Sequence, residues 1–133
     1  GYKVRLSKWH GEELLKLADV YELVWATTWE HDANALIGPK IGLPELPVTE
    51  FDKTWKLPTR PDGTYFKTHT IVEYAAGRPF VWVDDEITHY DQKYVDEHHD
   101  GPASLHGVDP AHGLRQSDFD TLAAWAVSLK EEA

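Results

Sequence analysis

The chain has 133 residues, 41% hydrophobic and 27% charged, with six Trp, six Tyr and four Phe, which is enough apolar surface for one folded domain and argues against wholesale disorder. Thirteen basic residues against 23 acidic ones give a formal net charge of -10, which works against non-specific attraction to nucleic-acid phosphates or anionic lipid. The lack of cysteine removes disulfides, Cys-zinc sites and thiol nucleophiles together and makes the cytoplasm the expected compartment; no apolar run approaches the roughly 18 residues of a membrane span.

Residues 2–6 alternate apolar and polar side chains, as a short strand does. Ser7 is placed as the N-cap of a helix reaching to about residue 20, with Leu14, Leu17, Ala18 and Tyr21 on one stripe. Leu23-Val24-Trp25-Ala26 is a continuous apolar run ending in Thr27-Thr28, the pattern of a strand buried on both faces. A short helix is expected over 29–37. Five of the eight prolines then fall between 38 and 63, so an irregular excursion is predicted there, with a brief strand near Pro47-Val48. A helix over 67–76 closed by Gly77, a strand over 79–83 ending in Asp84-Asp85-Glu86, a polar helix over 87–98 and a strand near Ala103-Ser104-Leu105 follow. The last helix begins at Ser117, with Phe119, Leu122, Ala123, Ala126 and Leu129 on its apolar stripe. This alternation of helices and buried strands predicts an α/β fold with a mostly parallel sheet.

In open parallel sheets ligands gather at the carboxyl ends of the strands, here Thr27-Thr28 and Asp84-Asp85. Adjacent carboxylates after a buried strand repel each other unless a cation lies between them, and hard oxygen ligands suit magnesium; the competing reading of either Asp is a helix cap. A Thr hydroxyl and a Lys at a helix start can bind a phosphoryl group, a description that fits Thr27 and Lys67, with Lys56 as a rival for the lysine. The eight histidines include no His-x-x-x-His pair and read as surface residues, while Trp25, Trp29 and Trp82 flank the strand ends and read first as core.

The order of an apolar strand ending in Thr27, then Lys67 at a helix start, then an apolar strand ending in Asp84-Asp85 resembles motifs two, three and four of the haloacid dehalogenase-like (HAD) superfamily. Residues 23–34, residues 77–85, Asp109-Pro110 and Gly113-Leu114 resemble a small bacterial or phage branch of it. The resemblance implies a Rossmann-like three-layer sandwich formed as a single domain over 1–133. It also implies a magnesium-dependent phosphohydrolase acting through an aspartyl-phosphate, with Thr27 on the phosphoryl group, Lys67 neutralising it, and Asp84 and Asp85 holding Mg2+. The alternative is a non-catalytic HAD-like binding or regulatory module. A phosphoacceptor receiver domain uses similar residues, but there the acidic pair comes first in the chain.

One family feature is missing. The Asp-x-Asp motif carrying the nucleophile, on the central strand of the sheet, has no match before Thr27, and Asp118-Phe119-Asp120-Thr121 follows no buried strand and reads as a helix start. The domain is therefore expected to be incomplete at its N-terminus, with a preceding segment or a dimer partner completing the sheet. The 39 residues between Thr27 and Lys67 are too few for a large lid at that point, so an open site is implied, accepting a phosphorylated substrate as large as a macromolecule.

Overall fold

A computed structural model of the chain describes residues 7–28, 30–52 and 57–132, with side chains up to Lys130. Its mixed α/β elements fall into two units, Gly1–Val48 with Asp109–Ala133, and Thr49–Val108. The predicted strand over 2–6, Trp29 and Lys56 lie outside the described residues.

In the first unit α1 (Lys8–Leu17) starts where the sequence predicts and ends three residues early. The Ser7 amide donates to His10 Nδ1 at 3.0 Å and the other ring nitrogen of His10 meets the Leu114 carbonyl at 2.9 Å, so the ring serves as a cap at one edge and a tether at the other. The run 23–26 is not a strand: only Trp25 forms a ladder contact, an isolated parallel bridge to Val48, with its amide donating to the Pro47 carbonyl at 2.9 Å. The partner segment carries Pro44 and Pro47, which have no N–H to extend a ladder. Asn34 closes this corner instead, its Oδ1 accepting from Trp25 Nε1 and Leu46 N and its Nδ2 donating to the Leu46 carbonyl.

The short helix expected over 29–37 appears as a wide π-helical turn, Ala33–Ile37, running into α2 (Gly38–Ile41). The widening comes immediately before Pro39, whose ring would crowd the carbonyl four residues back and which returns no hydrogen bond. Ala33, Ile37, Ile41 and Leu43 form a buried cluster against Leu14, Trp25 and Leu46. α5 (Gln116–Glu132) buries Phe119, Leu122 and Ala126, while Ala123 of the predicted stripe is exposed. Asp118 acts as its cap, accepting from the Arg115 amide at 2.7 Å, so the literal Asp-x-Asp is part of a helix start as the sequence suggests.

In the second unit α3 (Thr68–Ala75), β1 (Phe80–Asp84), α4 (His89–His98) and β2 (Ala103–Gly107) follow in order. β1 and β2 pair in parallel from Phe80 opposite Ala103 to Asp84 opposite Gly107, with α4 in the connection, the βαβ arrangement that parallel pairing requires. Among the described residues these two strands are the whole sheet. The coarse α/β class stands, whereas the Rossmann-like three-layer sandwich is not formed by these residues, because the run 23–26 makes one bridge rather than a strand. A turn at 59–65, bridged from Thr59 to Tyr65, leads into α3. Gly63 at its tip has φ 88°, and a Cβ there would lie 2.8 Å from the Tyr90 ring, so the turn needs glycine twice over. No helix among the described residues is long and apolar enough to cross a membrane.

A Cβ on Gly11 would lie 1.7 Å from the Ile41 carbonyl oxygen, so Gly11→Ala must push α1 off α2; thermal or urea unfolding should show a loss of about 1–3 kcal/mol or more, the cost of overpacking a tight contact. The Asp62 carboxyl is raised by its partial burial, but hydrogen bonds from the Thr64 hydroxyl and amide and from His69, with that imidazole's charge, outweigh this and hold it at about 2. A carboxyl depressed in the folded state stabilises above its ordinary range and stops doing so as the pH falls through the folded value. The stability difference between wild type and Asp62→Asn, measured by urea unfolding, should thus be full at neutral pH, shrink below about pH 4 and vanish near pH 2.

Candidate functional site

β1 carries Trp82 at the core, 3% exposed, and ends in the polar Asp84-Asp85 step. The ladder does not stop at the strand's last residue: the Val108 amide donates to the Asp84 carbonyl at 3.0 Å, which fixes the Asp84 backbone. Asp84 Oδ1 accepts from the Glu86 amide at 3.2 Å, and Oδ2 accepts from Lys67 Nζ at 3.0 Å.

That last contact is an ion pair with each side chain only 8% exposed. Lys67 Nζ also lies 5.5 Å from the centroid of the Tyr65 ring and 5.8 Å from that of Phe51, within the range of cation–π attraction. Tyr65 in turn stacks on Trp82 at 6.5 Å and 11°. Lysine reaches this place because residue 67 is the N-cap of α3, with helical backbone angles and its carbonyl accepting the Ile71 amide. Its own side chain does not cap the helix and is left to extend toward the strand end.

Asp85 is exposed as a residue, yet its carboxyl is pushed up from the ordinary carboxylate range, first by the packing around it and then by its hydrogen bond to Asp84 and that neighbour's charge. A carboxyl raised by a neighbouring carboxylate is a place where a bound cation would be stabilising. The residues fit magnesium as a hard cation held by one or two carboxylates, water and substrate oxygens. Among the described residues no group of three or more His, Asp or Glu side chains could hold a metal by itself.

The structure thus brings together three of the four residues singled out from sequence, Lys67, Asp84 and Asp85. Thr27 belongs to the first unit, where it is half-buried and its carbonyl accepts the Glu30 amide at 3.0 Å. Trp82 is core as expected, and Trp25 is a structural donor to Asn34. Sequence reasoning missed Asp91, a residue of the polar helix that has no exposed surface. Its Oδ1 accepts from the Tyr65 amide at 2.8 Å and the Thr68 hydroxyl at 2.6 Å, and its Oδ2 accepts from the Thr88 amide at 2.8 Å and the Thr88 hydroxyl at 3.3 Å. The available signal was Thr88-x-x-Asp91, a capping pattern hidden by starting the helix at 87. His69, Tyr94 and His98 stack in series at 4.1 and 4.0 Å, and His99 is buried rather than a surface residue.

Removing one partner of a buried ion pair leaves the other charge desolvated and unmatched. Lys67→Met should therefore destabilise the protein by about 3–5 kcal/mol in urea unfolding, while Lys67→Met combined with Asp84→Leu should recover most of the loss; equal losses in the single and double variants would show that the pair carries no such coupling. No protein-family model matches the chain, and no curated protein or solved structure matches it significantly.

Proposed function

We propose that these residues are the cation- and phosphoryl-binding part of a magnesium-dependent phosphohydrolase of HAD-like type, a hydrolase that works through an aspartyl-phosphate on a nucleophilic Asp contributed from outside the 133 residues. The observation that carries this reading is the 3.0 Å pairing of Lys67 with Asp84 at the carboxyl end of a parallel strand, with Asp85 beside it. A cation, two carboxylates and a strand end are the parts such chemistry needs in one place.

In this reading Asp84 and Asp85 hold the ion, and Mg2+ when bound supplies charge neutralisation for the transferring phosphoryl group. Lys67 balances part of the phosphoryl charge and, while Asp84 lacks the ion, keeps that buried carboxylate from standing unpaired. The substrate is a phosphorylated molecule, and the short proline-rich interval between Thr27 and Lys67 favours one too large for a closed pocket. The non-catalytic reading draws on a different aspect of the same geometry, since both Asp84 oxygens already have donors, as a purely structural ion pair would.

The test is a protein extended to include an apolar strand ending in Asp-x-Asp, assayed with magnesium on a generic aryl phosphate. Turnover is expected, and Asp84→Asn with Asp85→Asn should lower it by about a thousandfold or more, the several kcal/mol that a bound cation contributes. Asp118→Asn with Asp120→Asn, which alters only the start of α5, should leave turnover nearly intact. Calorimetry on the 133-residue chain should show weak Mg2+ binding that the Asp84 and Asp85 substitutions remove. An extended protein inactive on a broad panel of phosphate esters would favour the binding module.

A further inference from the structure

A carboxylate with no exposed surface needs several donors, and Asp91 has four, divided between its two oxygens in a way that follows the two halves of the Lys67–Asp84 pair. Oδ1 takes the Tyr65 amide and the Thr68 hydroxyl, which lie on either side of Lys67 in sequence. The lysine is thus carried on a short arch whose two feet rest on one oxygen atom. Oδ2 takes the amide and hydroxyl of Thr88, the N-cap of α4, four residues beyond Asp84 along the turn that leaves β1. One side chain therefore ties the segment that presents the ammonium to the segment that presents the carboxylate.

We propose that Asp91 is the positioning residue of this site: its carboxylate sets where Lys67 Nζ stands relative to Asp84 and Asp85, touching neither the ion nor the substrate. Its weight in turnover rests on the phosphohydrolase reading above; its control of the ion pair does not. A cap that merely stabilised α4 would need only the Oδ2 contacts, as in any Thr-x-x-Asp start. The Oδ1 contacts reach Thr68 of α3 and the turn ahead of it, so the same carboxylate that caps α4 also holds the segment that carries Lys67. Because the pair is almost wholly desolvated, it tolerates little displacement: an ammonium that loses its partner there has no water to turn to.

Two measurements separate positioning from stability. In the chain as it stands, the Lys67 ammonium should give its own proton–nitrogen resonance in cold, mildly acidic solution, because a buried, paired ammonium exchanges slowly with water. Asp91→Asn, which keeps the shape and loses the second acceptor oxygen, should abolish that resonance while the amide fingerprint stays that of a folded protein. Thr68→Val, which removes one donor on the lysine side and leaves the α4 cap untouched, should weaken it, and this variant decides the matter if Asp91→Asn does not fold. An unchanged Lys67 resonance in a folded Asp91→Asn or Thr68→Val variant overturns the proposal.

In the extended, active protein, Asp91→Asn should lower kcat by about 10- to 100-fold, as loss of a support behind a catalytic ligand does. The same substitution should cost nothing further once Lys67 is Met, because a residue that acts through the lysine is silent without it. Additive losses in that double-mutant cycle would overturn positioning even with the resonance lost. If the wild-type extended protein shows no turnover, the phosphohydrolase reading falls and the Lys67 resonance alone decides the role of Asp91.

Discussion

The second unit is organised around a charge it cannot expose. Burying a carboxylate costs several kcal/mol unless donors replace its water, and the Asp91 carboxylate obtains them from the turn ahead of α3, the first residue of α3 and the cap of α4. Each donor comes from backbone or side-chain groups that an isolated helix or turn would leave to solvent. Once Asp91 is in place, Tyr65 is fixed as well, and with it the ring that lies over Lys67 and stacks on Trp82. Loss of one of these contacts leaves the rest with a polar group short of a partner, and that is why a small polar network can be cooperative where an apolar contact of the same size is not.

The Lys67–Asp84 pair sits beside this network and obeys the same constraint with a different solution. Here the charges cancel within a single 3.0 Å contact, and the aromatic faces of Phe51 and Tyr65 supply further attraction for the ammonium. A pair of this kind adds little net stability over a well-packed apolar pair. On the proposed reading the pair serves what the strand end binds; as a structural element it keeps each of two buried charges matched.

Local signals in the sequence were legible where the structure obeys local rules. Ser7 starts a helix, the alternation over 67–107 gives α3, β1, α4 and β2 within one or two residues, and Lys67, Asp84 and Asp85 could be named because each ends or begins an element. The failures have tertiary causes. Leu23-Val24-Trp25-Ala26 has the composition of a strand, but strand formation needs a partner with N–H groups, and the segment it meets contains Pro44 and Pro47. Asp91 stands in a helix of acidic and polar residues that has little apolar periodicity, and nothing in Asp91-Gln92-Lys93 distinguishes a fully buried carboxylate from the exposed Asp96 five residues on. Thr88-x-x-Asp91 marks only the local half of its donors; Tyr65 and Thr68 lie 26 and 23 residues away, beyond the reach of any pattern that reads neighbours.

Charge sets an order of events on the proposed reading. Lys67 carries one positive charge and Asp84 and Asp85 together carry up to two negative ones, so these three groups alone do not attract a phosphoryl dianion, and the chain's net charge of -10 gives no long-range help. The raised carboxyl of Asp85 reflects the same crowding of negative charge beside Asp84. On that reading a divalent cation held by Asp84 and Asp85 would reverse the sign of the cluster and weaken the hold of Asp84 on the Lys67 ammonium, since a carboxylate shared with a dication attracts it less. The lysine would then have charge to offer a phosphoryl group. On the proposed reading, phosphate recognition at this strand end would be conditional on the metal by electrostatics alone, and the buried lysine would be held in reserve by the same aspartate that the metal would claim.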